Sequence, residues 1–203
     1  MNGQEKEINK FSVILADCPW PYNSRSPHSK TRFGGGVHRQ YRVMQIEEIK
    51  ALPLNSVAAK DAVLFLWATF PHLQNALEVI KSWGFKYKTL GFSWTKTTTK
   101  SGKLFFGTGF YAKSNTEVCL LATRGKTIKP STNTVSSALL SPRLKHSQKP
   151  TEIHERIERL YPDLPKVELF ARQQRDGWVC LGNEIDGLDI RDSIDQVGHV
   201  VEL

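Results

Sequence analysis

With 203 residues, 39% hydrophobic and 24% charged, the chain can build one packed core, is too short for two ordinary domains, and is too apolar for a disordered polyelectrolyte. The longest apolar run near its middle, Ala62 to Ala68, falls far below the roughly 18 residues of a membrane span, and the start MNGQEKEINKF has no secretory pattern. Three scattered cysteines exclude a disulfide framework or thiolate zinc site, so a single domain spanning 1–203 in the cytoplasm is expected.

In chain order, Phe11 to Ala16 (FSVILA) and Ala62 to Trp67 (AVLFLW) read as strands buried on both faces of a parallel sheet. Between them Ile46, Ile49 and Leu52 mark a short helix that Pro53 stops. After Pro71, Leu73, Leu77 and Ile80 recur at helical spacing until Gly84. Tyr87 to Trp94 and Glu117 to Ala122 read as two further strands, separated by the Thr-, Lys- and Gly-rich TKTTTKSGKLFFGTG. Residues 97–110 and 128–147 are expected to be mobile loops facing a polyanion. Pro150 then opens TEIHERIERLY, with Ile153, Ile157, Leu160 and Tyr161 on one face and charges on the other, the clearest helix in the chain. Lys166 to Phe170 and Trp178 to Leu181 supply two more strands, and the acidic tail after Gly187 reads as peripheral.

At least six strands alternating with helices or long loops indicate an α/β domain, with a mostly parallel sheet and helices on both faces. Right-handed crossovers would bring Asp17, the Arg172 region and the Asn183 region to the carboxyl edge of that sheet, where such folds bind ligands. The net charge of +8 is unevenly placed: residues 81–149 hold 13 Lys or Arg and a single acid, Glu117, whereas residues 150–203 hold 6 against 12. A polyanionic partner is the natural reading of the basic middle third, with a merely solubilising surface as the rival.

The tetrapeptide DCPW ends the first strand. Asp17 offers a carboxylate, Cys18 a carbonyl, Pro19 rigidity and Trp20 a flat apolar face. An exocyclic amino group needs that set, because its two hydrogens want two acceptors and its ring wants a stacking surface. A simple Asp-x-Pro turn or a helix cap would also explain the residues. DCPW resembles the DPPW motif of beta-class adenine-N6 methyltransferases, the family containing the catalytic subunit of the eukaryotic mRNA adenosine methyltransferase together with bacterial and phage DNA enzymes. VLFLW at 63–67, FSWTK at 92–96, EVCLLATRG at 117–125, HSQKP at 146–150, IERLYP at 157–162, KVELFAR at 166–172 and WVCLGNEIDG at 178–187 follow in the family's order.

The resemblance implies a circularly permuted, Rossmann-like fold in which the catalytic half precedes the half that binds S-adenosylmethionine, released as S-adenosylhomocysteine. It implies that Asp17 and the carbonyl of Cys18 hold the target amino group, that Pro19 and Trp20 shape the pocket, and that Trp20 packs beside the base. Cys18 stands where the family usually has proline. On the cofactor side it implies roles for Asp17, Lys149, Phe170, Arg172 and the ribose-contacting pair Asn183 and Glu184, with Lys149 facing the cofactor carboxylate at the start of the clearest helix. Tyr22 and Tyr41 are candidate substrate-side aromatics, and Arg25, Arg39, Lys96, Lys100 and Lys103 candidate phosphate contacts. No metal is expected, since the six histidines show no ligand spacing and methyl transfer from a sulfonium needs no Lewis acid. The expected substrate is adenine in DNA, with RNA or an inactive nucleic-acid-binding partner as alternatives, and a homodimer would widen the positive surface.

Overall fold

The computed structural model describes residues 10–21, 43–107, 109, 111–143 and 148–201. Among these, one sheet is formed by β1 (Phe11–Ala16), β2 (Ala58–Ala68), β3 (Lys86–Thr97), β4 (Thr116–Arg124), β5 (Ala138–Pro142), β6 (Lys166–Leu169) and β7 (Val179–Leu181), in the order β5-β3-β4-β2-β1-β6-β7. β1 pairs in parallel with β2 and β6, β6 with β7, and β3 with β5. β4 runs antiparallel to both its neighbours, β2 and β3. Six strands therefore share one direction, and only β4 presents its amino-terminal end at their carboxyl edge.

Side-chain alternation divides the core into two layers. Ile14, Leu64, Leu66, Val167 and Leu169 face one side, where α1 (Ile46–Lys50), α2 (Leu54–Val57), α3 (Leu73–Ser82) and α6 (Ile190–Val201) pack. Val13, Leu15, Val63, Phe65 and Trp67 face the other and meet Ile153 and Ile157 of α4 (Glu152–Leu160). Strands with both faces covered have no solvated side, which is why β1 and β2 read as continuous apolar runs. Arg156 of α4 bonds both to Glu152 and to the carbonyls of Ser136 and Ala138, tying the helix to the start of the edge strand. This is an α/β fold, a mostly parallel sheet with helices on both faces.

The described elements depart from the sequence reading at three points. β5 lies inside the 128–147 segment read as loop. It is an edge strand with one neighbour and only Leu139 buried, so it shows no alternation to read. In α3 the buried positions are Ala76, Val79 and Ile80, while Leu77 points outward. The tail is not peripheral: α6 buries Ile190 and Ile194 in the larger core, and Gly198 runs so close to α2 that a Cβ there would lie 2.9 Å from that of Ser56.

Candidate active site

Asp17 is the first residue beyond β1, and its backbone N–H points to the carbonyl of Leu169 at the end of β6 at 3.5 Å. The chain turns there: the N–H of Trp20 donates to the carbonyl of Cys18 at 2.9 Å, and that of Met44 to the carbonyl of Pro19 at 3.1 Å. The Trp20 indole N–H donates to the carbonyl of Trp67 at 3.1 Å, and its ring stacks on His72 at a centroid distance of 5.9 Å. Most of Trp20 is thus built into the core, and the remainder faces the cleft as a fixed wall.

The charged centre of the site alternates in sign. The Lys149 ammonium donates to both oxygens of Asp17 at 2.7 Å and lies 3.4 Å from Glu117 Oε2, above the Trp67 ring. Glu117 is the second residue of β4, and it also accepts from Lys96 near the end of β3. Burial lifts the Asp17 carboxyl above its ordinary value, against the opposing pull of Lys149. Burial alone would depress Lys149, but the charges of Asp17 and Glu117 outweigh it and hold its ammonium well above the ordinary lysine range. Burial would likewise raise Glu117, and Lys149 and Lys96 together pull it below its ordinary value. The Cys18 thiol is pushed well up by burial and by Asp17, so it stays protonated and is no nucleophile.

β6 and β7 bring the later motifs alongside. Phe170, the first residue beyond β6, has φ of 62°, in the left-handed region that a bulky residue rarely occupies. The carbonyl of Leu181 accepts from the N–H of Ala171, and the next residue, Gly182, passes so close that a Cβ on it would lie 2.5 Å from the Ala171 carbonyl oxygen. Only glycine lets β7 end there and start α5 (Asn183–Asp186) beside Arg172, whose Nε lies 3.6 Å from Glu184 Oε1. Two adjoining clefts share Asp17, Trp67, Lys149, Phe170, Arg172 and Glu184. One extends towards Trp20, Met44 and Asn183, the other towards His154, Glu168 and Arg175.

Asp17, Cys18, Pro19, Trp20, Lys149, Phe170, Arg172, Asn183 and Glu184 are therefore brought together. The Lys149 ammonium lines both clefts and meets Asp17 and Glu117 there. Lys96, read with the loop lysines, sits within β3 on Glu117, because the strand continues to Thr97. Lys100 and Lys103 lie exposed in a turn beyond it. Tyr22, Arg25, Arg39 and Tyr41 fall outside the described residues. Glu117 escaped the sequence reading as a site residue, although it is the lone acid in residues 81–149 and stands at the start of an apolar strand. Among the described residues no cluster of three or more His, Cys, Asp or Glu could hold a metal, and no helix is long and apolar enough to cross a membrane.

The chain is 33% identical over 189 residues to the Type II methyltransferase M.MunI of Mycoplasma sp, a match covering 87% of this chain and 78% of the relative. It is 28% identical over 188 residues to the N(6)-adenosine-methyltransferase MT-A70-like protein of Drosophila melanogaster, and equally so to the human N(6)-adenosine-methyltransferase catalytic subunit METTL3. Those two matches cover 91% of this chain but only 28% and 30% of the relatives. Residues 11–184, which run from β1 to the Asn183–Glu184 pair, match the MT-A70 family, and the chain belongs to that family.

Proposed function

We propose that this protein is an adenine-N6 methyltransferase that uses S-adenosylmethionine and acts on DNA. The observation that carries the reading is the placement of the Asp17 carboxylate and the Cys18 carbonyl at the carboxyl edge of the sheet, in one cleft with Phe170, Asn183 and Glu184. The donor set fits the cofactor: Asn183 and Glu184 offer an amide and a carboxylate for ribose hydroxyls, and Phe170 and Ile190 offer apolar surface. Bound there, the cofactor supplies a methyl group on a sulfonium, an electrophile that needs no activation by a metal.

The protein's part is alignment and electrostatics. The lone pair of an adenine amino group is delocalised into its ring. Asp17 and Cys18 draw its two N–H groups towards two acceptors, which turns nitrogen density out of the ring plane. The Cys18 carbonyl already accepts one bond from Trp20 and keeps a second lone pair for the substrate. Lys149 keeps Asp17 ionised in a buried place where a lone carboxyl would take up a proton. As the N–C bond formed and the S–C bond of the sulfonium broke, its electron pair staying on sulfur in the departing S-adenosylhomocysteine, positive charge would develop on nitrogen beside the Asp17 carboxylate. Asp17, its basicity raised by burial, is the acceptor placed to take the released proton.

DNA is favoured by the likeness to the Type II methyltransferase, of which this chain spans 78%, over the N(6)-adenosine enzymes, of which it spans less than a third. The latter likeness supports RNA as the second reading. The base would leave its stack to enter the cleft. The test is incubation with methyl-labelled S-adenosylmethionine and, separately, duplex DNA, single-stranded DNA and RNA, followed by nucleoside mass spectrometry. Labelled N6-methyldeoxyadenosine is expected; labelled N6-methyladenosine alone would establish RNA, and neither product would reject the activity.

A further inference from the structure

Residues 97–106 leave the charged centre as an ordered turn. The N–H of Thr98 donates to the carbonyl of Lys103 at 2.8 Å, that of Gly102 to the carbonyl of Thr98 at 3.0 Å, and Thr97 pairs with Leu104. Phe105 donates its N–H to the carbonyl of Lys96, whose ammonium holds Glu117. Across the turn, Arg143 follows β5, donates its N–H to the carbonyl of Thr97, and lays its guanidinium over the Phe105 ring at 4.5 Å. Backbone contacts thus run from Asp17's charged neighbours straight out to a stacked Arg–Phe pair.

This outer surface is apolar where water would ordinarily favour polar groups. Leu104 is 45% exposed, Phe106 65% and Leu140 of the adjoining edge strand 65%. Lys100 and Lys103 on the same turn and Arg143 just past β5 are all exposed as well. The one acid in residues 81–149, Glu117, is committed to Lys96 and Lys149. A second copy of the chain on this face would oppose like charges, whereas a polyanion would be attracted. Aromatic rings and a guanidinium plane among cations suit an anionic ligand with flat faces. In a duplex those faces are buried in the stack, so only an unpaired strand presents them.

We propose that Phe106 and the Arg143–Phe105 pair form a stacking platform for unpaired nucleotides flanking the target adenine. The inference deepens the proposed function and rests on it for the identity of the ligand. It gives the site a preference for single-stranded or locally opened nucleic acid.

The test uses the full chain and two labelled probes without adenine, so that the catalytic cleft is not engaged: oligothymidylate and a G·C duplex of equal length. Fluorescence anisotropy should show Phe106→Ala weakening oligothymidylate binding by about 5-fold to 100-fold, the scale of one lost base stack, with duplex binding changed less than about 2-fold by the same reasoning. Phe106→Trp should restore the binding. Arg143→Gln should also weaken it and lessen the salt slope by about 1, whereas Phe106→Ala should leave that slope unaltered. Equal losses on both probes, no loss on either, or conversion of a sedimenting dimer to monomer by Phe106→Ala would overturn the platform, the last outcome assigning the face to a second copy. Methylation of a short adenine-containing oligonucleotide by the unsubstituted protein is scored separately. Its absence would count against the catalytic reading, while oligothymidylate anisotropy alone decides the platform.

Discussion

Lys149 and Asp17 are 132 residues apart in sequence, yet the ammonium of one lies 2.7 Å from both carboxylate oxygens of the other. The contact joins the end of β1 to the segment leading into α4, and both groups are more than three-quarters shielded from solvent. A carboxylate so placed is fixed in direction and in ionisation before any substrate arrives.

Asp17→Asn keeps the shape of the side chain but removes its charge and one acceptor. Methyl transfer should fall by about 10²–10³-fold, the scale of one preorganised electrostatic contact. Cofactor affinity should change little by comparison, because Asn183, Glu184 and Phe170 remain. Single-turnover methylation and calorimetry on the same preparations separate the two effects. Retention of more than about a tenth of the rate is incompatible with the role given to Asp17.

The pH profile offers a test with opposite signs in two variants. Activity requires ionised Asp17, so it should be lost as pH falls through a pKa lying above the ordinary 3.8. Lys149→Met removes a cation that favours ionisation, and the acid limb should move to higher pH. Glu117→Gln removes a negative neighbour that disfavours it, and the limb should move to lower pH. Rates measured across pH for the three proteins check both directions. Shifts of the same sign would break the proposed coupling.

The parts of the site that were legible in sequence share one geometrical cause. Asp17, Phe170, Arg172, Asn183 and Glu184 each follow a strand that runs parallel to its neighbours, so motif position alone placed them at one edge. Glu117 lies at the start of its strand, not beyond its end. Read as another parallel strand, β4 would carry Glu117 to the far edge; only its reversed pairing brings the residue to Lys149, and composition does not encode strand direction. Lys96 was hidden by the Thr and Lys around it, since strand pairing with β5 and β4 overrides a segment's weak propensity. The tail's acidity similarly masked Ile190, Ile194 and Val197, whose helical spacing marks the inner face of α6.

Phe170 should reverse the usual order of alanine and glycine. At φ of 62° a side chain is strained, and glycine is free of the roughly 1–2 kcal/mol that an L-residue pays in the left-handed region. Both substitutions lose the ring, so their difference isolates the backbone. Phe170→Gly should be more stable than Phe170→Ala by about 1 kcal/mol in urea unfolding, and both should bind S-adenosylmethionine more weakly than the unsubstituted protein.

Ile194 tests the docking of α6. It is fully buried against the larger core, and Ser193 beside it donates its hydroxyl to Asp186 at 2.9 Å. Ile194→Ala should destabilise the protein by about 2–5 kcal/mol through lost burial and a residual cavity. A loss below about 1 kcal/mol in chemical unfolding would mean that the helix frays without consequence for the rest of the fold.

The three lysines grouped by the sequence reading separate into two kinds. Lys100 and Lys103 are exposed in the turn, whereas Lys96 is held at Glu117. Replacing Lys100 and Lys103 together by Gln should weaken oligonucleotide binding alike for sequences with and without adenine, and should lessen the salt slope by up to about 2 units. Lys96→Gln should leave the slope unchanged and act on the reaction instead. With one partner gone, Glu117 is less well held as a carboxylate and its grip on Lys149 loosens, so the methylation rate should fall while affinity for oligonucleotide stays constant. Anisotropy over a range of salt concentrations, with single-turnover rates on the same variants, measures both quantities. A salt slope reduced by Lys96→Gln as much as by either turn lysine would place its ammonium on a phosphate and remove Glu117 as its partner in the bound state.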